Sequence, residues 1–73
     1  MRSMREWRTD RLRSVRELAG AAGVTHKTLI DIEHGRRRPT YETMRRLSEA
    51  LGVPAGEIAE FAAVLEERGK DAA

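Results

Sequence analysis

A chain of 73 residues with no cysteine is the size of one small domain, and it has neither disulfides nor thiolate metal ligands to staple its core. No apolar run is long enough to cross a bilayer, and the opening MRSMREWR lacks the apolar centre of a signal peptide, so a cytoplasmic location is the expectation. Net charge is only +2, yet residues 1–46 hold 12 Lys/Arg against 6 Asp/Glu and residues 47–73 hold 2 against 6, an asymmetry that suits a polyanion at one end.

Residues 1–13 read as mostly helical. Met4 and Trp7, three apart, face the core. Trp7 as a stacking platform for bases is the functional alternative, but its spacing from Met4 favours a core anchor. Leu12 is expected to pack under the second helix. That helix runs from Val15 to about Ala22, with Ser14 as its cap and Glu17 completing a capping box. Val15, Leu18, Ala19 and Ala22 form one buried stripe. Gly23 follows in a position that favours left-handed backbone, and Val24 plugs the turn. Thr25 caps a third helix from His26 to about Glu33, which Gly35 closes.

The third helix has two faces. Leu29 and Ile32 point inward, whereas Lys27, Ile30, Asp31 and His34 share the outer stripe with His26 beside it. An apolar Ile30 on a solvent face is explained if that face meets something, such as a thymine methyl in a major groove. Arg36, Arg37 and Arg38 follow in a loop, where a phosphate-binding role outweighs that of a merely solvated loop. Pro39 and Thr40 start a fourth helix with Met44, Leu47 and Leu51 inward and Arg45 and Arg46 outward. Gly52 ends it, and Val53 fills the core. The last helix is placed at 55–68, opened by Pro54, with Ile58 and Phe61 closing the core. Residues 69–73 read as a frayed tail, so the domain is 1–68.

Two short helices joined by a Gly-containing turn, the second with a polar outer face, make a helix-turn-helix at 14–35. SVRELAGAAGVTHKTLIDIEHGRRRPTYETMRRLSEALGVP resembles the phage-repressor type of this motif, the Cro-like or XRE family. Carrying the likeness in register are Glu17-Leu18-Ala19, Gly23-Val24, Ile32-Glu33 with Gly35, the Arg-Arg-Pro-Thr stretch and Ala50 to Pro54. The resemblance implies an all-α fold, a compact bundle of four to five short helices, and sequence-specific binding of double-stranded DNA by a repressor-like transcription regulator. It also implies an ion pair between Arg8 and Glu33, bracing the first helix against the end of the third.

On this reading His26, Lys27, Thr28, Ile30 and Asp31 meet base edges. Asp31 also has the blander option of pairing with Lys27 within the helix. Ser14, Arg16, Thr25, Arg36, Arg37 and Arg38 meet phosphates. Phe61, Val64 and Leu65 are the candidate contact of a homodimer, the alternative being that this patch folds back over the first helix. Domains of this family also serve as antitoxins or accessory subunits, so a protein partner for the acidic, partly apolar last helix is the rival reading. His26 and His34 lie about 12 Å apart along one helix, too far to share a metal. With no ligand cluster, nucleophilic triad or phosphate-binding Gly-rich loop, neither a cofactor nor an enzymatic activity is expected.

Overall fold

The computed structural model describes residues 1–72, with side chains to Glu67. It is all-α among these residues: α1 (Met4–Asp10), α2 (Val15–Ala22), α3 (His26–Glu33), α4 (Tyr41–Leu51), a 3-10 turn (Ala55–Glu57) and α5 (Ala59–Ala72).

The first four helices begin with one device. A Ser or Thr side chain accepts from the amide three residues on: Ser3 from Glu6 at 3.1 Å, Ser14 from Glu17 at 3.0 Å, Thr25 from Thr28 at 3.1 Å and Thr40 from Thr43 at 3.2 Å. At Ser3 and Ser14 the Glu returns the bond, accepting from the Ser amide at 2.9 Å and completing a capping box. Gly23 and Gly52 end α2 and α4 in left-handed backbone, each with φ +71°, which a glycine adopts without steric cost.

These caps fix short helices whose inner faces meet in one core. Met4, Leu18, Leu29, Ile32, Leu47, Ile58 and Phe61 are its fully buried large side chains. Burial of each contributes roughly 1.5–3 kcal/mol. Trp7, Val15, Val24 and Val64 pack against them, partly buried.

Several sequence expectations are corrected. The first helix is shorter than residues 1–13, because Ser3 caps it and Arg2 is extended. The Arg2 carbonyl accepts from the Ala59 amide at 2.9 Å, pairing the start of the chain with Ile58 at the entry to α5. Leu12 does not lie under α2. It is 89% exposed with φ +58°, since the corner between α1 and α2 turns it outward. The last helix is broken rather than continuous from residue 55: Ile58 is extended (φ −99°, ψ 120°) and drops its side chain into the core between the 3-10 turn and α5. Helix α5 passes the expected end at Arg68 and runs to Ala72; Ala73 lies outside the described residues. Phe61 is a core residue with no exposed surface, so it is not available to a partner copy.

Candidate nucleic-acid interface

The turn between α2 and α3 is Gly23, Val24 and Thr25. The Val24 amide donates to the Ala19 carbonyl at 3.0 Å, closing α2, while Thr25 opens α3 one residue later. Leu29 and Ile32, both buried, hold α3 to the body. Its other face is open: His26 and Lys27 are exposed, and Thr28, Ile30 and Asp31 are half-buried along it. Arg16 and His26 line one shallow groove between the two helices, together with Gly20 and Val24. Arg16 thus borders the same groove as the start of α3.

The brace beneath this face is the Arg8–Glu33 pair. Arg8 Nε donates to Glu33 Oε2 at 2.8 Å and Nη2 to Oε1 at 3.3 Å, a two-point fork. Its Nη1 donates to the Arg13 carbonyl at 2.9 Å. The two side chains are 14% and 6% exposed. One guanidinium thus ties α1, the α1–α2 corner and the end of α3 together.

The three loop arginines diverge. Arg36 turns back onto α3: Nη2 and Nε lie 3.2 and 3.3 Å from Asp31 Oδ1. Arg37 Nη1 donates to Thr28 Oγ1 at 3.4 Å. Arg38 turns the other way, pairing with Glu67 of α5 at 2.8 Å. Asp31 is held by Arg36, not by Lys27. Sequence spacing missed this because Arg36 is five residues on and beyond the helix end, where the i, i+4 rule lapses. Gly35 (φ +73°) reverses the chain there, and the Arg36 amide donates to the Asp31 carbonyl at 2.8 Å. His34 also folds onto its own helix, its Nδ1 donating to the Ile30 carbonyl at 3.0 Å.

Acidic residues of the C-terminal segment are less free than composition suggests. Glu60 accepts from the Met4 amide at 2.8 Å and so caps α1, while Glu67 is committed to Arg38. Val64 is half-buried against the core, and Leu65, 36% exposed, sits with Tyr41 beside a groove between α4 and α5. Among the described residues no group of His, Asp or Glu is placed to hold a metal ion, and no helix is long and apolar enough to cross a membrane.

A capped helix pair with an open second face, underpinned by a buried ion pair, defines a helix-turn-helix domain. The chain belongs to the Helix-turn-helix family, which matches it over residues 4–58. It is similar to the HTH-type transcriptional regulator DdrOP3 of Deinococcus deserti, 33% identical over 57 residues. That match covers 78% of this chain but 44% of the relative, so the chain spans less than half the length of the protein it resembles. No solved structure matches it.

Proposed function

We propose that this chain binds double-stranded DNA sequence-specifically and regulates transcription as a repressor does, inserting the N-terminal half of α3 into the major groove. The observation that carries this reading is the exposed face of α3, with Lys27 and His26 at its start and arginines on its flank. Among the described residues Lys27 has no hydrogen-bond or ion-pair partner competing with guanine acceptors. His26, Thr28 and Ile30 stand on either side, Thr28 and Ile30 suited to a thymine methyl. Ser14, Arg16, Thr25, Arg37 and Arg38 meet the flanking phosphates. The Arg38–Glu67 pair is solvent-exposed on both sides, 57% and 61%, and a phosphate displaces the carboxylate at little cost. One module buries little DNA surface, so two copies bind a two-fold site with half-sites roughly 34–36 Å apart. Val64 and Leu65 form the contact between copies, and the cytoplasm is where such a regulator works.

Base-preference selection from a random duplex pool, with salt titrations of wild type and two variants, tests this. Lys27→Ala relaxes preference at one position, where each wrong base otherwise costs about 1–3 kcal/mol. Arg37→Ala weakens all sequences alike and lowers the salt slope by about one. Identical behaviour of the two variants would sink the division of roles. A failure to bind any duplex at low salt would sink the DNA reading itself and favour the rival, a partner protein seated at Leu65 and Tyr41 as in an antitoxin or accessory subunit.

A further inference from the structure

We infer that Arg36 is a base-reading residue for guanine, and that Asp31 is the positioning residue that aims it. This rests on the DNA-binding reading above and reverses the roles that residue type alone gives the two positions, a carboxylate for cytosine and an arginine for phosphate.

Three observations converge. The first is main-chain anchorage. The Arg36 amide is bonded to the Asp31 carbonyl at 2.8 Å, across a turn that Gly35 makes with φ +73°. The root of the side chain is therefore fixed to the last turn of α3. The second is the geometry of the ion pair. Asp31 Oδ1 accepts from Arg36 Nε at 3.3 Å and lies 3.2 Å from Nη2 as an ion-pair contact, along one edge of the guanidinium. Five N–H donors are arranged in a planar fork. With that edge held, the end-on donors of Nη1 and Nη2 remain, and these match guanine O6 and N7 in the major groove. The third is burial. The Asp31 side chain is 20% exposed and the Arg36 side chain 63%. The carboxylate sits behind and the guanidinium in front, so an approaching base meets the arginine first.

Electrostatics favour the same order. A carboxylate facing DNA on its own would be repelled by the phosphates, whereas beside a guanidinium its charge is offset and Oδ1 is engaged. A flexible arginine loses rotamer freedom when it docks. Asp31 has already restricted Arg36 in the free protein, so less is lost on binding. Arg38 provides the internal contrast: it leans away from α3 onto Glu67, and nothing on α3 aims it.

The test is base-preference selection with Arg36→Ala, Arg36→Lys, Asp31→Ala and the double variant, each checked for a wild-type melting temperature. Arg36 is exposed and Asp31 half-buried, and neither belongs to the core. Expected results are loss of guanine preference at one base pair in Arg36→Ala, by about tenfold, and the same loss in Arg36→Lys, which keeps the charge but not the fork. Asp31→Ala weakens preference at that same base pair, and the double variant is no worse than Arg36→Ala alone. Uniformly weaker binding in Arg36→Ala, restored by Arg36→Lys, would mean a phosphate contact and overturn the proposal. Loss at a cytosine in Asp31→Ala with Arg36→Ala unaffected would overturn it too. In both of those cases the DNA reading survives; absence of salt-dependent duplex binding by wild type would remove both.

Discussion

Arg8 shows how one side chain decides the rigidity of a small domain. Its guanidinium serves three acceptors on two elements, and its partner Glu33 is almost fully enclosed. Replacing such a pair with apolar groups can be neutral, but removing one member strands a charge, at about 3–5 kcal/mol. In a domain with so small a core that is a large share of the total. Glu33→Ala is therefore expected to lower the denaturation midpoint steeply in thermal and urea melts. At a temperature where it stays folded, its base preference is unchanged. Leu12 is the opposite case, a bulky side chain in left-handed backbone with nothing to pack against. Asn tolerates that conformation better. Leu12→Asn should raise stability by about 0.5–1 kcal/mol in the same melts, because it relieves backbone strain and sacrifices no burial.

Among the elements, the capping boxes give acid sensitivity a defined origin. The Ser14 amide, and then the Ser14 hydroxyl, hold the Glu17 carboxyl below the usual glutamate range; Ser3 does the same for Glu6. A carboxyl whose pKa is lower folded than unfolded adds stability above its unfolded value and loses it as pH falls through the folded one. The loss thus begins near the ordinary glutamate range and completes below it. Glu6→Gln with Glu17→Gln keeps an acceptor for each Ser amide but removes the titration, so the acid limb of a melting-temperature profile should flatten relative to wild type. These boxes also explain what was legible. Ser14/Glu17, Thr25 and Thr40 mark helix starts through local chemistry, and three core stripes follow from spacing alone. The Ser3/Glu6 box carried the same signal, and the apolar spacing of Met4 and Trp7 hid it. Contacts that depend on chain reversal were not legible. The outward turn at Leu12, the break at Ile58 and the return of Arg36 to Asp31 are set by how elements dock, which no local pattern encodes. The same limit applies to the candidate site: spacing marks the exposed face of α3, but not that Arg36 and Arg37 fold back onto it while Arg38 turns away.

The whole molecule divides its charge by position. Arg16 on α2 and Arg36, Arg37 and Arg38 after α3 flank the helix-turn-helix, and one carboxylate of α5, Glu67, meets them at Arg38. Counterion release makes binding to duplex fall linearly on a log–log salt plot. Glu67→Gln frees Arg38 from its exposed partner, so affinity for all sequences should rise modestly at low salt, by less than about fivefold, with base preference unmoved. Leu65→Glu places charge on the patch proposed to join two copies. It should shift the sedimentation coefficient toward monomer and make the melting temperature independent of protein concentration, since that side chain is partly exposed in the single copy.

Trp7 supplies the means to watch such changes without a label. It is the sequence's one tryptophan, with Arg2 and Arg11 guanidiniums 5.0 and 5.4 Å from its ring centroid and its Nε1 donating to the Glu57 carbonyl at 3.0 Å. Its fluorescence therefore reads the seam where the first residues of the chain meet the 3-10 turn. Emission that moves to longer wavelength before helicity is lost would reveal that this seam opens ahead of the rest.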